Sequence, residues 1–172
     1  MVLSTPPTTR AWLGLGANLG NPLSALRAAR QALAQPPEIT VRASSALYRT
    51  APIGGPSGQP DYLNAVLEID TTLNPDALLQ RCLAIEAANG RTRTTRYGAR
   101  TLDIDLLLFN DLCRQDAVLT LPHPRLHQRR FVLQPLCDLI PQQRLPGSDR
   151  TFRELLTAVG EKQGLLRVAE LW

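Results

Sequence analysis

The stretch that decides the fold is residues 62–109, YLNAVLEIDTTLNPDALLQRCLAIEAANGRTRTTRYGARTLDIDLLLF. Residues 62–71 alternate in the period-2 pattern of a half-buried strand, and Asn74-Pro75 closes them. From Pro75 to about Asn89, Leu78, Leu79, Cys82, Leu83 and Ile85 recur at helical spacing, and Gly90 suits the residue after a helix end. An arginine-rich loop follows, then a strand in which Asp103 and Asp105 project to one side and Leu102, Ile104 and Leu106 to the other.

Upstream the same order recurs. Residues 12–15 form a short apolar strand running into GLGANLG, whose glycine spacing is not the dinucleotide fingerprint. Asn21 and Pro22 read as N-cap and first helical position, opening a helix to about Leu33 with Leu23, Leu26, Ala29, Ala32 and Leu33 on one face. Pro36 and Pro37 stop it. A strand over about 39–48 leads to residues 51–60, APIGGPSGQP, too dense in Gly and Pro for regular structure. The order βαββαβ predicts an α+β, ferredoxin-like split βαβ fold: an antiparallel sheet, both helices on one face, the other face free for ligands. Helices near 133–138 and 150–160 are C-terminal additions. No repeat or linker divides residues 1–172, which read as one domain with residues 1–10 a flexible N-terminal extension.

At 172 residues the chain can bury a core without disulfides, and 44% hydrophobic with 20% charged residues describes a soluble globule. No apolar run reaches membrane-spanning length and residues 1–10 lack a secretion signal, so a cytoplasmic protein with no membrane partner is expected. Cys82, Cys113 and Cys137 are odd in number and lack metal-ligand spacing, which predicts reduced, mostly packed thiols.

The net charge is +4, and Lys162 is the only lysine. Arginine's planar fork favours bidentate binding of phosphate oxygens, although a codon bias would give the same composition. Placement is more informative: Arg91, Arg93, Arg96 and Arg100 form one cluster, and Arg125, Arg129 and Arg130 form another after His123. An Asp-x-Asp pair alone reads as the solvated face of a sheet, and an arginine loop alone as a nucleic-acid surface. Together they point to a polyphosphate held by magnesium, which binds through one or two carboxylates and completes its shell with water and phosphate oxygens.

Five segments, LGLGANLGNP, SALYRTAPIGG, QPDYLNAV, RYGARTLDIDLLLF and LPHPRLHQRRFVLQPL, together resemble the 6-hydroxymethyl-7,8-dihydropterin pyrophosphokinase family of folate biosynthesis, over about residues 12–138. The resemblance implies an enzyme that moves the pyrophosphoryl group of ATP onto the pterin hydroxymethyl group and releases AMP. It implies that Asp103 and Asp105 bind two Mg²⁺ ions, and that Arg91 and Arg100 act in catalysis. It gives ATP contacts to Glu86, Arg91, Arg93, Arg100, His123 and Arg129, and pterin contacts to Thr50, Ile53, Tyr62, Asn64 and Phe131. Residues 51–60 and 90–99 would be closing lids. Tyr97, Thr94, Ala17 and Pro124 depart from residues frequent in the family and bear on lid closure and adenine contacts. His127 has no assignment. A monomer that binds ATP and the pterin, and no nucleic acid, is expected. The rivals are an RNA-binding module, for which 5% aromatic residues offer few stacking rings, and a two-metal nuclease or nucleotidyl transferase.

Overall fold

In the computed structural model, which describes residues 7–90 and 101–172, both Asn-Pro pairs open helices. The Asn21 side chain accepts a hydrogen bond from the Ser24 N–H at 3.0 Å, and α1 (Pro22–Ala34) begins at the proline. Asn74 accepts from the Ala77 N–H at 2.9 Å ahead of α2 (Pro75–Ala88), and Gly90 follows at φ 75°. Each cap satisfies one of the N–H groups that a helix start leaves without a partner.

Strands β1 (Thr9–Ala17), β2 (Ile39–Ser44), β3 (Leu47–Thr50), β4 (Tyr62–Thr71) and β5 (Asp103–Phe109) pair antiparallel, in the order β5-β1-β4-β3 with β2 also on β4. This is the split βαβ arrangement that the element order predicts. Beyond it, β6 (Arg114–Gln115) and β7 (Thr120–Leu121) form a small hairpin, and β8 (Leu166–Ala169) adds an edge strand to β3. β1 starts at Thr9, so Thr9 and Arg10, read as extension, pair with Thr71 and Asp70. The single strand expected over 39–48 is two. At the break the Ser45 hydroxyl accepts from the Val66 N–H at 2.9 Å, and the buried Trp172 indole donates to the Ser45 carbonyl at 2.9 Å.

α1 and α2 share one face, packing Leu26, Leu33, Leu78 and Cys82 on Leu13, Leu15, Leu67, Ile69, Ile104 and Leu106. Burial pushes the Cys82 thiol up to about 12, with Asp105 adding to the shift, so this cysteine is a packed thiol. The C-terminal additions, α3 (Arg130–Leu139) and α4 (Phe152–Val159), cover part of the opposite face. The cause lies in β5: an irregularity opposite Trp12/Leu13 places both Leu107 and Leu108 on that side. With Trp12 and Val66 they make an apolar patch, onto which α3 and α4 bring Val132, Leu133, Leu136, Phe152 and Leu155. Beside this covered patch the sheet face is left as a cavity.

Candidate active site

The cavity holds about 500 Å³, within the range of small-molecule sites. Its floor is set by register. Across β5, β1 and β4, Asp103 pairs with Gly16 and Gly16 with Asn64; one step along, Asp105 pairs with Gly14 and Gly14 with Val66. Cross-strand partners share a face, so both carboxylates stand beside positions without a side chain. The Cα atoms of Asp103 and Asn64 are two strand spacings apart, roughly 10 Å. Space over Gly16 is tight on one side only: a Cβ there would lie 3.2 Å from Asn64 Oδ1.

Asn64 is oriented by its amide N–H, which donates to Thr50 Oγ1 at 2.8 Å, and both residues are buried. Tyr62, two residues before Asn64 on the same face, lines the cavity, as do Thr50 and Ile53. Phe131 and Arg129 enter from the start of α3, the guanidinium 5.5 Å from the centre of the Phe131 ring.

His123 is not among the residues that line the cavity. Its N–H donates to the Leu107 carbonyl at 2.9 Å, tying the loop to β5, and its Nδ1 accepts from the Arg125 N–H at 3.2 Å. Burial first, then the charges of Arg129 and Arg125, lower its pKa to about 4, with Asp103 partly opposing them. The imidazole is therefore neutral near pH 7, and with Nδ1 accepting, Nε2 carries the proton.

The structure brings together Thr50, Ile53, Tyr62, Asn64, Asp103, Asp105, Arg129 and Phe131 around one cavity. Glu86 is elsewhere: it is 2% exposed on α2, and its Oε1 accepts the Ile104 N–H at 2.7 Å, between the two aspartates. That contact anchors the strand that carries them, and Glu86 is not among the lining residues. Arg91, Arg93, Arg100 and all of the lid over 90–99 except Gly90 lie outside the described residues. The 51–60 segment is largely exposed, with Gly54, Gly55 and Gly58 at positive φ, and is tied at its end by the buried Asn18, whose Nδ2 donates to the Pro60 carbonyl at 3.1 Å.

Gly14, Gly16, Gln128 and Gln163, to which the sequence assigns no role, also line the cavity, as does Arg125 of the second arginine cluster. The two glycines carried a signal, since GLG precedes the helix start, but its meaning depends on the strands beside it. Among the described residues no three of His, Cys, Asp or Glu gather as metal ligands. Two carboxylates, with the rest of the shell left to water and phosphate, suit Mg²⁺ rather than a metal needing an all-protein cage. Among the described residues no helix is long and apolar enough to cross a membrane.

The sequence model of the 7,8-dihydro-6-hydroxymethylpterin-pyrophosphokinase family matches residues 12–141. The chain is 44% identical over 160 residues to 2-amino-4-hydroxy-6-hydroxymethyldihydropteridine pyrophosphokinase of Methylorubrum extorquens, covering 93% of this chain and 99% of the relative. It is 43% identical over 149 residues to the protein of the same name from Pseudomonas aeruginosa, covering 87% and 91%. Among solved structures, wild-type Plasmodium falciparum HPPK-DHPS with pterin and p-hydroxybenzoate superimposes with a TM-score of 0.68 at 16% identity, over 90% of this chain and 43% of that one. This chain thus spans under half of that polypeptide, and the likeness speaks to the fold alone. With that fold shared and the sequence match running from β1 through α3, the chain belongs to the 7,8-dihydro-6-hydroxymethylpterin-pyrophosphokinase family.

Proposed function

We propose that the chain transfers the pyrophosphoryl group of ATP to the hydroxymethyl oxygen of 6-hydroxymethyl-7,8-dihydropterin, releasing AMP, as a step of tetrahydrofolate biosynthesis. The observation that supports this most is the row Asp103, Gly16, Asn64 with Asp105 beside Gly14 in the next row, which puts a carboxylate pair and an amide on one cavity floor. Asp103 and Asp105 would hold two Mg²⁺ ions. Magnesium bound there would neutralise polyphosphate charge and make the acceptor hydroxyl more acidic.

The remaining residues bind and orient. Arg129 and Arg125 offer donors to phosphate oxygens, and by family resemblance His123, whose neutral ring carries its proton on Nε2, adds another. By family resemblance, Arg91, Arg93 and Arg100 extend that grip. Tyr62 and Phe131 provide flat faces for the pterin ring, and the Asn64 amide offers both a donor and an acceptor to its edge. The acceptor oxygen then approaches the β-phosphorus in line, opposite the departing AMP. Carboxylates facing the cavity would repel a nucleic-acid backbone, which weighs against the RNA-binding reading. In this account the enzyme acts in the cytoplasm as a monomer.

Calorimetry with a non-hydrolysable ATP analogue tests the metal assignment. Binding should require Mg²⁺ and be lost in Asp103→Asn. Equal binding without Mg²⁺, or by the variant, would overturn it.

A further inference from the structure

We propose that Gln163, in the turn after α4, is a positioning residue that holds Arg129 and Phe131 in the geometry the two substrates need. The inference rests on the site reading above and adds a residue outside the 12–141 family match. Arg129 is the N-cap of α3, yet its side chain makes no capping hydrogen bond; its carbonyl takes the Val132 and Leu133 N–H groups, so the Arg130 N–H at the helix start needs a partner from elsewhere. Gln163 supplies one. Its Oε1 accepts the Arg130 N–H at 2.9 Å, and its Nε2 donates to the Gln128 carbonyl at 3.2 Å. One amide therefore brackets Arg129 from both sides along the chain.

The geometry of the turn serves this contact. Gly160 ends α4 at φ 70° and ψ −164°, a conformation that belongs essentially to glycine, and sends the chain back toward the cavity. Arg130 Nη1 donates to the Gly160 carbonyl at 2.6 Å and fixes the turn, after which Gln163 reaches the cavity wall. Its neighbour Glu161 does little there: its side chain is 92% exposed and comes only within 4.0 Å of Arg130. Apolar packing of Phe152 and Leu155 with Val132, Leu133 and Leu136 joins α4 to α3 independently of Gln163. Loss of the amide should thus leave the fold intact and loosen the Arg129–Phe131 pair.

The test compares Gln163→Met, which keeps the length but neither hydrogen bond, with Gln163→Glu, which keeps the Oε1 acceptor, and with Glu161→Gln as control. Arg129→Ala, Phe131→Ala and the Gln163→Met/Arg129→Ala double variant complete the set. Melting temperature, kcat and the KM for each substrate are measured. Gln163→Met should lower kcat/KM about tenfold or more, the scale expected when positioning is lost. KM should rise for both ATP and the pterin, with melting unchanged, Gln163→Glu in between and Glu161→Gln like wild type. The double variant should bind ATP no worse than Arg129→Ala. Wild-type kinetics in Gln163→Met, with Arg129→Ala and Phe131→Ala impaired, would overturn this inference and leave the site reading standing. Additive losses in the double variant, or unfolding of Gln163→Met, would also overturn it. Wild-type kinetics in both Arg129→Ala and Phe131→Ala would instead overturn the site reading.

Discussion

Adding one methyl group at Gly16 should separate pterin recognition from stability. The new Cβ would stand 3.2 Å from Asn64 Oδ1, inside ordinary contact distance, so the amide must yield by a few tenths of an ångström. Asn64 is held on its other side by the 2.8 Å hydrogen bond to Thr50, so the shift tilts the amide away from the position in which it would, on the proposed function, read the ring. Gly16 lies in regular β1 pairing at a backbone conformation open to alanine, and Gly→Ala at such sites gains about 0.4–1 kcal/mol from the unfolded chain. The steric cost and this gain oppose each other, leaving stability within about 1 kcal/mol of wild type. Pterin affinity should fall about tenfold or more, equivalent to about 1.4 kcal/mol. Gly14→Ala is the internal control: the atoms nearest its Cβ all belong to the Leu107 side chain, the first at 3.3 Å, and a leucine can move without disturbing the Asn64 amide. Titration of pterin into each variant, with urea melts alongside, measures both quantities. Unchanged pterin affinity in Gly16→Ala, or an equal loss in Gly14→Ala, would refute the reasoning.

Further outcomes follow from the same contacts. Asp103→Asn and Asp105→Asn should abolish Mg²⁺-dependent turnover with near-wild-type urea midpoints; full turnover by either would remove the metal role. Glu86→Leu should cost about 2 kcal/mol, the scale of a buried hydrogen bond to a charged group, because it strips the acceptor from the Ile104 N–H. Glu86→Gln retains an acceptor and should keep both stability and turnover closer to wild type; a turnover as low as that of Glu86→Leu would point to a need for the charge itself. The folded chain keeps His123 neutral down to about pH 4, whereas the unfolded chain protonates near 6.5. Between these values the unfolded state binds more protons, so stability falls as pH drops from about 6.5 to 4. His123→Asn should show a smaller loss between pH 7 and 4.5 in urea melts, and an identical loss would contradict the burial of a neutral ring.

What was legible in the sequence was mostly local. Asn21-Pro22 and Asn74-Pro75 announce helix starts because cap and first turn lie within four residues of each other. The common face of Asp103 and Asp105 follows from strand alternation, and their separation from Ile104 and Leu106 stands in the structure. The break at Ser45 was not legible, because the partner that stabilises it, Trp172, is far along the chain. Which sheet face α3 and α4 cover depends on the irregularity at Leu107, which only the pairing with β1 reveals. Glu86 matched a nucleotide contact by resemblance, while its bond to the Ile104 N–H depends on how α2 meets β5. Gln163 gave no signal, since a glutamine in a polar turn acquires meaning only from the helix end it reaches.

Product analysis by phosphorus NMR tests the central claim most directly. Wild-type protein, ATP, Mg²⁺ and 6-hydroxymethyl-7,8-dihydropterin should yield AMP and the pterin diphosphate in equal amounts, with neither formed when any one component is withheld. Release of ADP, or AMP formation without the pterin, would contradict the account.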